Sequence, residues 1–190
     1  MKRKLAVVLL ICISCHMGWA AQDFVWKSGQ NMKVVCDTTE APVVKVALDL
    51  LKRDCRSVLS GNISRSENTG NIYVGTWGES SVLQALAETR QLDVALLNEH
   101  KEAFLLNVLP DGRLIVAGSD KRGTAYGVLE LSRMMGVSPW EWWADAIPEK
   151  KEELRLPAGF RKLDYPQVAY RGIFINDEDW GLTPWSWKHY

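Results

Sequence analysis

A strand-like segment, a long amphipathic helix and a second strand-like segment follow one another between residues 32 and 76, and this order constrains the fold most. The helix is predicted to begin near Pro42, because a proline in the first turn loses no hydrogen bond. Its apolar residues recur at the spacing of one helix face: Val44, Ala47, Leu48, Leu51, Cys55, Val58 and Leu59. The order therefore predicts an α/β layered fold.

Further elements of the same kind follow as far as Gly136. A short helix is predicted over residues 80–86, and a β-hairpin over residues 102–109 and 113–117, joined by Pro110-Asp111-Gly112. A second long helix should begin after a cap at Ser119 or Asp120 and end at Gly136. These segments together predict one layered α/β domain, a mixed sheet with packed helices, over residues 21–160.

Composition excludes several classes of protein. The chain has 190 residues, of which 47% are hydrophobic and 24% are charged, so it is neither disordered nor a small disulfide scaffold. Lys and Arg together number 23, as do Asp and Glu, which gives a formal net charge of +0. Because nucleic-acid binding relies on a basic surface, we expect no nucleic-acid partner.

The N-terminus has the pattern of an export signal. A basic start, Lys2-Arg3-Lys4, precedes an apolar run over residues 5–13, and Ala20 supplies the small residue that signal peptidase needs. We therefore expect residues 1–20 to be a cleaved signal peptide and the protein to be periplasmic or secreted. An uncleaved anchor and lipidation at Cys15 are the alternatives. No later segment has the length and hydrophobicity of a membrane span.

The mature chain contains Cys36 and Cys55. Cys36 closes the predicted strand, whereas Cys55 lies about 20 Å along the following helix at 1.5 Å per residue. Because a disulfide joins Cα atoms only a few ångströms apart, we expect two free, buried thiols.

Composition changes after Gly136, where six of the nine tryptophans lie. An apolar run over residues 168–175 predicts a buried strand, and Asn176, Asp177 and Glu178 follow it directly. Polar residues at the end of a barrel strand are the usual place for a ligand site, and a solvated loop is the alternative. Asp177 and Glu178 cannot both be a catalytic pair, because neighbours on an extended chain point to opposite faces.

Tryptophans and histidines give weaker signals. Trp140, Trp142 and Trp143 fit a wedge between domains better than a sugar platform. Trp180, Trp185 and Trp187 are better candidates for sugar stacking, because they follow Asn176 closely in the sequence. His100 and His189 have no second histidine at ligand spacing, so we expect neither a metal site nor a cofactor.

Three blocks in order resemble glycoside hydrolase family 115, the xylan α-glucuronidases. They are residues 117–131 with Arg122-Gly123-Thr124 and Tyr126-Gly127, residues 136–145 with Pro139-Trp140 and Trp142-Trp143, and residues 170–178 with Tyr170-Arg171-Gly172 and Asn176-Asp177-Glu178. The resemblance implies a non-catalytic N-terminal α/β domain, followed over residues 161–190 by the first strand of a truncated (β/α)8 barrel.

The resemblance also implies an activity, the inverting removal of glucuronic acid or its 4-O-methyl form from xylan. It places Asn176 and Asp177 in contact with the sugar acid and adds Glu178 as a further candidate. It assigns no catalytic residue in this chain, so we expect a fragment that is inactive alone, with a xylan-type polysaccharide or a glucuronic-acid-bearing oligosaccharide as its partner. A small exported, non-catalytic polysaccharide-binding protein is the alternative function.

Overall fold

A computed structural model describes residues 20–89 and 91–172 of the chain. Within these ranges the strands are β1 (Phe24–Lys27), β2 (Asn31–Cys36), β3 (Asn62–Ser66), β4 (Ile72–Thr76), β5 (Phe104–Val108), β6 (Leu114–Gly118), β7 (Glu153–Leu156) and β8 (Arg161–Asp164). The helices are α1 (Pro42–Leu59), α2 (Ser81–Glu88), α3 (Lys121–Met135) and α4 (Trp140–Ala144), with a short 3-10 helix at Ala95–Asn98.

Six strands form one mixed sheet in the order β3-β2-β4-β6-β5-β8. The first four of these are parallel to one another, whereas β5 runs antiparallel to both β6 and β8. A separate antiparallel pair joins β1 to β7. The predicted α/β class with a mixed sheet is therefore confirmed.

Helices cover both faces of the sheet, because its strands alternate their side chains between two apolar clusters. Val74 and Val116 face α1 and α3 in one cluster. Tyr73 and Ile115, each one residue earlier, face α2 and the 3-10 helix in the other. The core thus consists of two layers on either side of one sheet.

The sequence located the longest elements well. α1 begins with Pro42 at its first turn and buries all seven residues of the predicted apolar face. The hairpin forms as β5 and β6, and its turn includes Gly112 at a φ of +80°. α3 has Asp120 as its N-cap and ends at Gly136 in the left-handed region, at a φ of +102°.

Four short strands were not predicted: β1, β3, β7 and β8. β3 is the sequence Asn-Ile-Ser-Arg-Ser at one edge of the sheet, where only Ile63 is buried. β8 forms the opposite edge and extends the sheet to Asp164, whereas the sequence predicted a domain boundary near residue 160. That boundary remains a prediction.

The predicted strand over residues 168–175 is not formed as far as the structure describes it. Residues 168–172 have no strand partner, and Val168 and Tyr170 are 59% and 98% exposed. The Val168 carbonyl accepts a hydrogen bond from the Arg171 side chain and not from a neighbouring strand. Residues 173–175 lie outside the described residues.

Cys36 and Cys55 are both free. Cys55 is fully buried on α1, whereas Cys36 is only half-buried, so the prediction of two buried thiols holds for one of them. The pKa of each thiol is raised to about 11, mainly by burial, and for Cys36 the nearby Glu40 carboxylate contributes to the rise. Both therefore stay protonated and unreactive at neutral pH.

Candidate functional site

The predicted site residues Asn176, Asp177 and Glu178 lie outside the described residues, as do Trp180, Trp185 and Trp187. The segment that leads to them is described as far as Gly172. We call residues 165–172 the linker, since they follow the last strand of the sheet. The contacts of this linker define the candidate functional surface.

The N-terminus of α3 builds the first part of this surface. Asp120 Oδ1 accepts hydrogen bonds from the backbone N–H groups of Arg122 and Gly123, both at 2.9 Å. Its other oxygen, Oδ2, accepts the backbone N–H of Glu102 at 2.8 Å. One carboxylate therefore caps the helix and fixes the loop that precedes β5.

Glu102 lies at the centre of the surface. Its carboxylate contacts the Arg122 guanidinium at 3.2 Å and the Tyr126 hydroxyl at 3.3 Å. Arg171 of the linker binds the same carboxylate and also donates to the Tyr126 hydroxyl at 3.2 Å. The hydrogen bond from the Arg171 guanidinium is the main reason why the pKa of Glu102 is below its ordinary value, so the carboxylate stays ionised.

The sequence pointed to Tyr126 and Arg171 as parts of the family blocks but missed Glu102. Glu102 lay at the predicted start of the hairpin, in a charged loop with no motif. Its backbone has a φ of +56°, an uncommon conformation for a residue with a side chain, and no sequence signal indicated it.

Two glycines of α3 allow the helix to approach the sheet closely. A Cβ atom on Gly123 would lie 2.1 Å from the carbonyl oxygen of Ala103. On Gly127 it would lie 2.9 Å from Val116 Cγ1 and 3.0 Å from Phe104 Cβ. α3 therefore packs closely on β5 and β6 at Gly127.

A second polar cluster lies where the parallel strands β2, β4 and β6 end, the usual place for a ligand in an open α/β sheet. Glu40, only 4% exposed, accepts the backbone N–H of Thr76 at 2.6 Å and its hydroxyl at 3.0 Å. Thr124 adds a hydroxyl contact to Thr76 at 2.8 Å. The groups satisfy one another, which indicates a structural role for this cluster.

A cavity of about 490 Å³ lies between α1 and α3, close to the volume of a small-molecule pocket. Its walls include Leu50, Phe104 and Leu129, with the acids Asp54 and Glu130. Glu130 pairs with both Arg133 and Lys162 at 2.6 Å. The cavity was not predicted from the sequence, where Asp54 and Glu130 are two acids among apolar helix positions.

Across residues 20–89 and 91–172, no cluster of His, Cys, Asp and Glu has the arrangement of a metal site. Among the helices of that same part of the chain, none is long and apolar enough to cross a bilayer.

Comparison with solved structures gives a relative of high sequence identity. No protein-family profile and no curated protein matches this sequence. Among solved structures, BtGH115A matches 88% of this chain at 57% identity and a TM-score of 0.80. BtGH115A is a 4-O-methyl-α-glucuronidase of glycoside hydrolase family 115 with specificity for decorated arabinogalactans. CpGH84D matches 76% of the chain at 16% identity and a TM-score of 0.51, which shows a shared fold alone.

The extent of the match differs between the two chains. The chain spans 22% of the length of BtGH115A. The shared segment includes the mixed sheet and helices described above. Its 57% sequence identity is higher than a similarity of fold alone produces. The resemblance of this chain to glycoside hydrolase family 115 is therefore confirmed, for a segment of about one fifth of such an enzyme.

Proposed function

We propose that this chain is part of an α-glucuronidase that removes glucuronic acid, or its 4-O-methyl form, from a plant polysaccharide by inverting hydrolysis. The observation that carries the proposal is the 57% identity to a 4-O-methyl-α-glucuronidase over 88% of the chain. In this proposal the layered domain is non-catalytic and supports the segment that follows it.

The sugar-contacting residues are Asn176 and Asp177, with Glu178 as a further candidate. A carboxylate and an amide accept hydrogen bonds from sugar hydroxyls, and the amide also donates to a carboxylate such as that of glucuronic acid. Trp180, Trp185 and Trp187 follow closely in the sequence and supply flat apolar faces for a sugar ring. No residue of this chain is assigned a catalytic role.

The polysaccharide itself has two candidates. The family resemblance points to xylan, whereas the relative at 57% identity is described as specific for decorated arabinogalactans. Both carry the same acidic sugar in this proposal, so the difference lies in the backbone that presents it. Export with a signal peptide over residues 1–20 remains part of the proposal, because both polymers lie outside the cell.

The first test is a segment exchange. Residues 21–190 replace the matching segment of BtGH115A, and release of 4-O-methylglucuronic acid is measured on glucuronoxylan and on arabinogalactan. We expect activity in the exchanged enzyme and a loss of about tenfold or more in Asp177→Ala, since a charged hydrogen bond is worth roughly 1.5–3 kcal/mol. Asp93→Asn, which removes an exposed ion pair with Arg161, is the matched control.

The isolated chain provides the complementary measurement. We expect residues 21–190 alone to release no acid sugar from either polymer, since they correspond to a segment that is 22% of the active relative. Turnover by the isolated chain that Asp177→Ala destroys would contradict this expectation. Tight binding to a polysaccharide, together with an inactive exchanged enzyme, would favour the non-catalytic binding protein instead.

A further inference from the structure

We propose that the loop over residues 99–103 is an intramolecular anchor that fixes the linker at two points, Tyr165 and Arg171, and so orders the chain as it leaves the sheet domain. The anchor itself depends only on described contacts. Its significance for sugar binding rests on the proposed function above.

The first point of attachment is aromatic. The His100 ring stacks on the Tyr165 ring with centroids 3.6 Å apart and an angle of 8° between the planes. Tyr165 directly follows β8, so this contact holds the linker where it leaves the sheet. Stacked rings of this kind contribute beyond the apolar area that they bury.

The second point is the contact of Arg171 with Glu102 and Tyr126. The Glu102 side chain is only 16% exposed, and that of Arg171 is 35% exposed, so the pair is more shielded than an ordinary surface ion pair. Arg122 and Tyr126 reach the same carboxylate from α3. An isolated exposed pair contributes little, but these four side chains form a network around one carboxylate.

The loop that carries the anchor is itself fixed. The Glu102 N–H donates to Asp120 Oδ2 at 2.8 Å, which supports its uncommon backbone at a φ of +56°. The Ala103 N–H donates to the Ser119 hydroxyl at 2.9 Å, and the Ser119 N–H donates to the Ala103 carbonyl at 2.9 Å. Uncommon backbone conformations that the surrounding structure holds in place cluster at active sites, ligand clamps and switch regions.

The charged groups that face Glu102 come from each element around it. Arg122 and Tyr126 come from α3, Asp120 from the cap of that helix, and Arg171 from the linker. Two guanidinium groups face the Glu102 carboxylate, while the Asp120 carboxylate binds backbone N–H groups instead. The anchor is therefore complementary in charge only when Glu102 is ionised.

NMR relaxation of the whole mature chain tests the anchor. In the unmodified protein we expect backbone order parameters of about 0.8 for residues 166–172, and values below about 0.6 in Glu102→Gln and Arg171→Gln. Arg171→Lys keeps the charge and should retain higher order parameters than Arg171→Gln. Trypsin cleavage after Arg171 should become several-fold faster in Glu102→Gln.

The control and a second readout make the outcome decisive. Asp93→Asn breaks an exposed ion pair to Arg161 in the neighbouring strand and should leave the linker unchanged. The carboxyl pKa of Glu102, titrated by NMR, should rise toward its ordinary value in Arg171→Gln. If Glu102→Gln lowers overall stability, Arg171→Gln decides, because Arg171 belongs to neither apolar cluster.

Two results would overturn the anchor: equal linker order parameters in the unmodified protein and in Arg171→Gln, or an unchanged Glu102 pKa in that variant. The contact would then be an ordinary surface ion pair. Neither measurement involves a sugar, so loss of the proposed glucuronidase activity and loss of the anchor would be recognised separately.

Discussion

Gly127 is a residue at which the close packing of α3 on the sheet can be tested. Gly127→Leu would place a large side chain where even a Cβ atom would lie 2.9 Å from Val116 Cγ1. Over-packing of this kind costs about 1–3 kcal/mol of unfolding free energy. We expect the denaturant midpoint to fall accordingly, with an unchanged slope.

The control for this substitution lies on the same helix. Lys121→Leu adds a similar apolar side chain at an exposed position, and its midpoint should stay close to that of the unmodified protein. An equal midpoint for Gly127→Leu would show that α3 can move away from β5 and β6 at little cost. The close approach would then have no energetic role.

At the scale of the element, α3 shows how one cap joins two parts of the chain. Asp120→Ala removes the acceptor for the N–H groups of Arg122 and Gly123 and also leaves the Glu102 N–H without its carboxylate. Loss of an N-cap costs about 0.5–2 kcal/mol, and we expect the upper half of that range. Thermal unfolding measures the effect.

Asp120→Asn separates the cap from the loop contact, because the asparagine Oδ1 can still accept the N–H groups of Arg122 and Gly123, whereas its Nδ2 is a donor and cannot accept the Glu102 N–H. We expect this variant to unfold between Asp120→Ala and the unmodified protein. If Asp120→Ala were as stable as Asp120→Asn, the side chain of residue 120 would not limit the stability of α3, and the fixed conformation of Glu102 would need another explanation.

At the scale of the whole molecule, we expect the sheet domain to fold without the segment that follows it. Deleting residues 166–190 keeps every strand of the described sheet and the stacking of Tyr165 on His100. It removes the apolar run over residues 168–175, of which Val168 and Tyr170 are exposed. We expect a higher solubility and an unfolding midpoint lowered by no more than the small contribution of the Arg171 contact with Glu102.

Calorimetry and light scattering on the shortened and the whole chain test this expectation. A fall of the midpoint by several degrees, or loss of cooperative unfolding, would mean that the deleted residues contribute to the core. Amide exchange would then locate them: strong protection over residues 168–175 in a verified monomer would contradict a domain boundary near residue 160.

The elements that the sequence predicted share one property, namely that their signals are local. The apolar spacing of α1, Pro110-Asp111-Gly112 in the hairpin, and the cap and terminal glycine of α3 each lie within a few residues of the structure they specify. The sequence blocks that resemble glycoside hydrolase family 115 are also local, because each is a short run of residues that can be recognised without knowledge of the fold.

The features that only the tertiary structure decided depend on residues far apart in the chain. β1 and β7 are strands because Phe24 pairs with Leu156, and β8 is a strand because Leu163 pairs with Leu105. The Glu102 surface arises in the same way, since Arg122, Tyr126 and Arg171 meet only after α3 and the linker pack beside β5. Short strands and single charges carry little periodicity of their own, so their pairing partners, and not their sequence, fix their conformation.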